Sequence, residues 1–448
     1  MKTTSSLLSY LRIVSLALWL CLSGCSPEAL PPSPAGEARV QATLTLTLTM
    51  GGLPFTRTPV EQQQGTTTED AVNRLTLFIV GSNNANNLTK VSVEKAELTN
   101  LNYVTVKVVT TEGDKVIYVA ANMTDEQINS VTTVTPSSPE MNISKITDLT
   151  NAATGFLMTG KAKSSDGTGS ISIAAGKKVY IGVDLKRVMS KVLLTVTPIA
   201  SDATHAVVDD GSGYIQLANI HYVLNTTNKK FFLFEQAEQA DPNPNLTSGI
   251  DTDFFCGATD ADVQAGTVAI SKGGEALYTD GLYCLENTLN TESANLVEIK
   301  KVMTYLRIAV KFTPKYIDSA TDALTEDAAS QQLTYGTFYT YKKAEGEQVK
   351  RCFSSANAGV TYYKSTLSKT VPVSDFIEHT GGWIYYETFV DSPTVFSSTN
   401  SVLRRNTYYQ VNIGSFSAPL KANTMKVSTA IQPWTLKGQT NIDIDTAN

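Results

Sequence analysis

Histidine, which many catalytic and metal sites use, is scarce in this sequence. The 448 residues include three histidines, His205, His221 and His379, which are too few and too scattered for a metal centre or a Ser–His–Asp arrangement. No GxSxG elbow occurs, and no Gly-rich turn has the strand-to-helix setting of a phosphate loop. We therefore expect a protein that is not an enzyme and that holds no metal and no cofactor.

Positive charge and long apolar runs are scarce as well. Lysine and arginine number 36 against 42 aspartates and glutamates, which gives a net charge of −6. Without a basic cluster, this charge argues against a nucleic-acid partner. The apolar run Ile13–Leu22 is too short to cross a membrane as a mature helix, and no later run is long enough.

That apolar run belongs to an export signal. Lys2 and Arg12 flank it, and it leads into Leu22–Cys25, with the sequence LSGC. Small residues just before a cysteine resemble a bacterial lipoprotein signal, which predicts removal of residues 1–24 and acylation of Cys25. An ordinary secretory signal with an incidental cysteine is the alternative. A lipid on Cys25 tethers a protein to a membrane without spanning it.

Three cysteines remain in the body of the chain, since Cys21 lies in the signal. They are Cys256, Cys284 and Cys352, and none shows metal-like spacing. An exported protein can oxidise two of them, and Cys256 with Cys284 is the pair we consider. Buried thiols are the alternative.

The rest of the chain predicts an all-β fold. Segments rich in β-branched and aromatic residues alternate with polar turns. We expect strands at Asn73–Val80, Tyr103–Thr110, Lys115–Asn122, Lys177–Leu185, Lys191–Pro198, Tyr214–Leu224, Lys229–Phe234, Thr304–Pro314, Gly382–Val390 and Asn406–Ile413.

A few short helices complete this fold, one of them at Thr124–Val131, where Thr124 and Gln127 have capping-box spacing. A polar break near residue 200 predicts two consecutive β-sandwich domains, residues 58–200 and 201–426, and one large sandwich is the alternative.

The first strand of the chain is the most regular. Every second residue of Val40–Met50 is apolar, so one face of the strand is entirely apolar. The members of this face are Val40, Ala42, Leu44, Leu46, Leu48 and Met50. A Gly- and Pro-containing segment with Arg57 follows, and such a segment is typical of an exposed, cleavable tether.

The order of several motifs along the chain is similar to that of the fimbrillins, the subunits of the protease-assembled (type V) pili of Bacteroides-type bacteria. Within that family the sequence most resembles the shaft subunit of short, minor fimbriae. Besides the lipoprotein signal and the strand with its arginine, the segments that carry the resemblance are Ala71–Val80, Tyr283–Thr288, Tyr305–Lys315, Gly382–Val390, Leu403–Ile413 and Val427–Ile444.

The resemblance implies that the first strand is temporary. In these pili an arginine-specific protease removes the strand that fills a groove of the N-terminal domain, and the C-terminal strand of the next subunit replaces it. Here the cut would fall between Arg57 and Thr58, residues 25–57 would be the tether and propeptide, and the polar Thr58–Asp70 would swing away. The precursor would be an outer-membrane lipoprotein, and the product an extracellular fimbrium for adhesion or biofilm formation. Its partners would be other copies, related pilus subunits and a host or bacterial surface ligand.

Other arginines are poorer places for the cut. Cleavage after Arg39 would remove the lipid and leave the groove filled. Arg74 lies within a predicted strand, where a paired backbone does not enter a protease cleft. Cleavage after Arg404 or Arg405 would sever the last strands of the chain.

The C-terminal segment, residues 427–448, has the pattern of a donor strand. The apolar positions that we assign to it are Val427, Ile431, Trp434, Leu436, Ile442 and Ile444. An ordinary last strand that completes its own sheet is the alternative, and the part around Val427–Leu436 fits that role.

Two other functions stay open. A surface lipoprotein that binds glycans is one, because tyrosines recur in the segments IHYVL, LYCL, NTYYQ and VTYYK, which we take as strands with stacking faces. The other is an anchor or tip subunit of the same pilus.

Overall fold

The computed structural model describes residues 39–49, 63–82, 84–98, 104–135, 139–164, 169–197, 205–208, 211–236, 240–243, 253–271, 281–288, 296–315, 317–318, 336–390, 403–417 and 425–435. Within these ranges the chain is built mainly of β-strands with a few short helices, so the predicted all-β class is confirmed. Cys25, Met50, Arg57, Thr58, Leu436, Ile442 and Ile444 lie outside the described residues.

Among the residues that the structure describes, fourteen strands precede residue 197. They are β1 Arg39–Thr49, β2 Gln63–Gln64, β3 Arg74–Gly81, β4 Asn84–Glu94, β5 Val104–Thr111, β6 Gly113–Ala121, β7 Glu140–Asn142, β8 Thr150–Asn151, β9 Gly155–Phe156, β10 Met158–Ser164, β11 Ile171–Ile173, β12 Lys178–Asp184, β13 Lys186–Arg187 and β14 Met189–Val196.

The first sandwich is one sheet that folds over β10. Its strand order is β4-β3-β6-β10-β12-β1-β5, with β11 beside β6 and β13 beside β10. Met158–Lys161 of β10 pairs with β6, and Ala162–Ser164 pairs with β12. The two halves enclose a core of buried residues that includes Leu44, Leu46, Leu75, Leu77, Val106, Ile117, Val119 and Ile181.

The remaining strands follow in the second half of the chain. They are β15 His205–Val207, β16 Gly213–Asn225, β17 Thr227–Asn228, β18 Lys230–Phe232, β19 Phe254–Phe255, β20 Thr267–Val268, β21 Ile270–Ser271, β22 Leu282–Leu285, β23 Tyr305–Pro314, β24 Phe338–Tyr341, β25 Phe376–His379, β26 Trp383–Phe389, β27 Thr407–Phe416 and β28 Met425–Thr435.

The second sandwich consists of two separate sheets. One has the order β2-β28-β27-β14-β21 with β22 beside β14, and the other has the order β15-β16-β23-β26 with β20 beside β16. Their facing apolar side chains form the second core, which includes Val192, Leu194, Ile220, Tyr222, Leu306, Ile308, Tyr386 and Val411.

A third apolar cluster joins the two sandwiches. Phe78 of β3 and Leu193 of β14 both belong to it, together with Phe231 and Tyr408. Strands β3 and β14 are therefore buried on both faces, which explains their nearly continuous apolar sequences.

Strand β14 pairs within the second sandwich, although it precedes the polar break on which the predicted boundary at residue 200 depends. In the strand pairing, the change from the first sandwich to the second falls between β13 and β14. The polar break thus separates β14 and β15, two strands of the same sandwich.

Four α-helices occur in the described residues: α1 Asp125–Ser130, α2 Asp260–Gln264, α3 Leu296–Ile299 and α4 Ala356–Leu367. The predicted capping box of α1 is confirmed, since Thr124 Oγ1 accepts from the Gln127 N–H and the Gln127 side chain accepts from the Thr124 N–H. Among the described helices, none has both the length and the apolar character needed to cross a membrane.

Candidate functional site

Strand β1 buries its apolar face in the core of the first sandwich. Ala42, Leu44, Leu46 and Leu48 are at most 3% exposed, and Val40 packs partly against the same core. The alternation of apolar residues with glutamine and threonine is what makes this possible, because successive side chains of a strand point to opposite faces.

The place of β1 in the sheet is internal. It pairs in parallel with β12 from Thr43 to Thr49, opposite Lys178–Asp184. On its other side it pairs antiparallel with β5 from Arg39 to Leu46. In the described strand order β12 and β5 meet through β1 alone, so removal of β1 would leave two unpaired sheet edges above an uncovered core.

The chain that follows β1 leads to the other sandwich. After Thr49 the next described residues are Gln63 and Gln64, which form β2 and pair in parallel with Trp434 and Thr435 of β28. Residues 50–62, with the predicted cleavage site at Arg57 and Thr58, therefore connect a strand of the first sandwich to the edge of the second.

Downstream of the predicted cut, the chain is anchored by charge. The Glu69 carboxylate lies 2.8 Å from the Lys191 ammonium and accepts a hydrogen bond of 2.5 Å from the Tyr283 hydroxyl. Asp70 forms an ion pair with the buried Arg187. The expectation that Thr58–Asp70 swings away is thus wrong for its described C-terminal part, because these acidic side chains are bound to the second sandwich and to the junction.

The ion pair with Lys191 changes the pKa of the Glu69 carboxyl. Burial alone would raise the pKa of the Glu69 carboxyl, but the Lys191 charge and the hydrogen bonds from Lys191, Tyr283 and Thr66 outweigh it and lower the pKa below the ordinary value. The carboxylate is therefore charged at neutral pH.

Sequence reasoning missed this anchor. The separations of Glu69 from Lys191 and Tyr283 are 122 and 214 residues, so no local pattern could join them. The one available signal was the lysine at the start of the apolar run Lys191–Val196, since a charge in a fully buried strand requires a partner.

Three other arginines considered for the cut lie in different settings. Arg74 is on β3 and forms ion pairs with Glu94 and Asp125. Arg405 is 1% exposed and forms an ion pair with Glu286. Arg39 is exposed at the start of β1.

Part of the predicted donor strand is paired inside this chain. The backbone of β28, with Val427 and Ile431, pairs with β27 from Met425 to Pro433, and β2 pairs with it at Trp434 and Thr435. Leu436, Ile442 and Ile444 follow the end of β28, outside the described residues.

Most of the tyrosines that suggested glycan-stacking strands are core residues, whereas Tyr283 and Tyr362 are half-buried. Tyr222, Tyr408 and Tyr409 are at most 2% exposed. The segment VTYYK is not a strand, because it lies in helix α4, where Tyr363 packs against Phe353 and other aromatic rings. Burial of these rings overrides the strand preference of the local sequence.

No disulfide is present among the cysteines of the described chain. Cys284 and Cys352 are buried thiols, whereas Cys256 is an exposed one. Burial raises the pKa of the Cys284 thiol to about 12, so it stays protonated. The Cys256–Cys284 disulfide considered from sequence is therefore not formed.

Comparison with known proteins points to fimbriae. The family model of the major fimbrial subunit protein (FimA) matches residues 42–217, a range that begins within β1 and ends within β16. No curated protein gives a significant match.

Three solved structures illustrate the likeness. A proposed cell adhesion protein of Parabacteroides distasonis has 12% identity and a TM-score of 0.49, over 90% of this chain and 100% of that one. A fimbrilin (fimA) of Porphyromonas gingivalis has 14% identity and a TM-score of 0.42, over 89% and 99%. The tip fimbrial protein Mfa3 of the same species has 11% identity and a TM-score of 0.38, over 89% and 100%.

All three TM-scores lie below 0.5, so the likeness to these structures carries no argument about function. Residues 42–217 of this chain are similar to the major fimbrial subunit protein FimA, a fimbrillin.

Proposed function

We propose that this chain is a fimbrillin and a shaft subunit, exported as a precursor with a lipid on Cys25, cut between Arg57 and Thr58, and assembled by exchange of its first strand. The observation that carries the proposal is the position of β1 between β12 and β5, with four fully apolar side chains in the core. Such an assembly requires a first strand that is released by one cut, made before the part of the chain that is anchored to the second sandwich.

The free energy at stake is large enough to drive assembly. Each buried leucine of β1 contributes roughly 1.5–3 kcal/mol, so Leu44, Leu46 and Leu48 together with smaller neighbours contribute on the order of 10 kcal/mol. Loss of β1 also leaves the edges of β12 and β5 without backbone partners, which favours pairing with an added strand. A donor strand with the same alternation of apolar and polar residues restores both the apolar burial and the backbone hydrogen bonds. Such a strand dissociates slowly.

The C-terminal residues after Thr435 are the proposed donor. The backbone of β28 is held by β27, so we restrict the donor role to residues 436–448, in which Leu436, Ile442 and Ile444 supply the apolar positions. Strand β28 then stays paired within its own subunit, and the residues that follow it extend to another copy.

The anchor at Glu69 and Asp70 fits the proposed cut. These residues follow Arg57 and are bound to Lys191 and Arg187, so a subunit that loses residues up to Arg57 keeps its two sandwiches joined. The arginine-specific protease would act on residues 50–62, between the two anchored parts of the chain.

N-terminal sequencing of protein from sheared surface filaments tests the proposal. We expect the filament subunit to begin at Thr58. A subunit that begins at Val40, or at any residue that retains Leu44–Leu48, would exclude a temporary β1, as expected for an anchor subunit or for a surface lipoprotein that does not polymerise.

A further inference from the structure

A cavity of about 480 Å³ lies on the outer side of the second sandwich, at the start of β26. Its lining includes Trp383 and Tyr385 of β26, Gln264 and Asp260 of α2, and Glu378 of β25. Because side chains alternate along β26, Ile384 and Tyr386 enter the core while both of these rings face outward. None of these residues belongs to the strand-exchange site.

Both aromatic rings are held by neighbours before any ligand binds. The Trp383 ring meets the His221 ring edge-on, with centroids 5.7 Å apart. The Tyr385 hydroxyl accepts a hydrogen bond of 2.6 Å from the Gln264 amide, and the Arg307 guanidinium lies 5.1 Å from the Tyr385 ring centroid. Rings fixed in this way lose little conformational entropy on binding.

The turn that leads into Trp383 is equally fixed. The His379 ring stacks on Phe338 with centroids 4.6 Å apart, and its Nε2 lies 2.9 Å from Thr340 Oγ1. Gly381, with φ of 64°, donates its N–H to Thr337 Oγ1. Burial lowers the pKa of His379 to about 4, so the ring is neutral at physiological pH.

The chemistry of the lining selects one class of ligand. Indole and phenol rings stack on the apolar C–H face of a sugar ring, and carboxylate and amide oxygens accept hydrogen bonds from its hydroxyls. Asp260 forms an ion pair with Arg307, whereas Glu378 is exposed and the residues described in the lining include no lysine or arginine. The Glu378 charge therefore disfavours sialylated and sulfated sugars. We propose that this cavity is a binding subsite for a neutral pyranose, such as a glucose- or galactose-type unit of a surface glycan.

This location differs from the glycan surface suggested by the tyrosine-rich segments, most of whose rings are buried. It also differs from the cavity of about 410 Å³ at the junction of the sandwiches, whose lining holds three lysines together with Asp184 and Glu235. Binding at Trp383 requires a folded subunit and no strand exchange, so the assignment stands independently of the proposed assembly.

Saturation-transfer NMR of the purified protein with methyl β-glucoside, methyl β-galactoside and sialyllactose tests the subsite. We expect transfer from the protein to the C–H protons of at least one neutral pyranoside, and about tenfold or more weaker binding after Trp383→Ala. Tyr180→Ala is the matched control, because Tyr180 is 62% exposed on the first sandwich, and it should bind as wild type.

Three results would overturn the assignment. They are no transfer to either neutral pyranoside, binding of sialyllactose alone, and a Trp383→Ala protein that melts as wild type and binds equally well. If Trp383→Ala does not fold, Glu378→Ala at an exposed position takes its place, and unchanged binding by that variant likewise excludes the subsite.

Discussion

The Glu69 carboxylate and the Lys191 ammonium form an ion pair of 2.8 Å, and each side chain is only 2% exposed. The pair ties the segment that enters the first sandwich to β14 in the second. A chain cut at Arg57 therefore retains this attachment, and loss of β1 changes the first sandwich without releasing it from the second.

Glu69→Gln should destabilise the whole subunit. The substitution leaves the buried Lys191 ammonium without this counter-charge, which costs about 3–5 kcal/mol of unfolding free energy at neutral pH. Denaturant unfolding measures it. Glu94→Gln is the control, because Glu94 pairs with Arg74 at a 62% exposed position and such pairs contribute about 0–1 kcal/mol. Equal effects of the two substitutions would contradict the role of the buried pair.

The same carboxylate predicts a dependence on pH. Because the pKa of Glu69 is lowered by folding, its contribution to stability is fully present above the pKa of the unfolded chain and is lost as the pH falls through the folded value. We expect unfolding free energies of wild type and Glu69→Gln to converge as the medium is acidified below the ordinary carboxyl range. Parallel curves over that range would contradict the prediction.

Leu46→Ala should affect the precursor and spare the filament. In the precursor the side chain is fully buried, so the truncation should lower the unfolding free energy by about 2–5 kcal/mol. In the proposed filament β1 has been removed, so thermal dissociation should be unchanged. Thr43→Ala, on the outer face of β1, is the matched control and should leave the precursor nearly as stable as wild type. A filament weakened as much as the precursor would show that β1 remains in place.

Arg57→Ala should give a stable, full-length, lipid-bearing protein that does not polymerise, because its groove stays filled. Ladders on unheated gels and the mass of the subunit report the outcome. Arg39→Ala serves as the control, and we expect it to polymerise normally. Ladders of wild-type intensity from Arg57→Ala would place the productive cut elsewhere.

The C-terminal tail should be needed for assembly of the filament and not for folding of the subunit. Deletion of Gly438–Asn448 should leave a cooperatively melting monomer that forms no ladders, since β28 stays paired with β27. A finer test replaces Ile442 and Ile444 by Asp, and it is compared with Asp443→Asn and Asp445→Asn, which keep the apolar face. Normal ladders from the isoleucine variant would exclude the tail as donor.

Much of the secondary structure was predictable because its signals are local. The alternation in β1 and the Thr124–Gln127 capping box each involve residues within one strand or one helical turn, and both predictions are confirmed. The strand prediction failed at α4, where aromatic and β-branched residues favour a strand locally but Tyr363 packs into a cluster with Phe353 and Phe376 from distant elements.

The sequence by itself determined that β1 is a strand with one entirely apolar face, because that property depends on the order of neighbouring residues. Only the tertiary structure decided that this strand lies between β12 and β5 and not at a sheet edge, since strand pairing joins residues far apart in the chain. It also decided that Glu69 faces Lys191 and that Trp383 and Tyr385 line a cavity. Such contacts follow from how the two sandwiches pack, and this packing depends on the side chains of many strands and helices together.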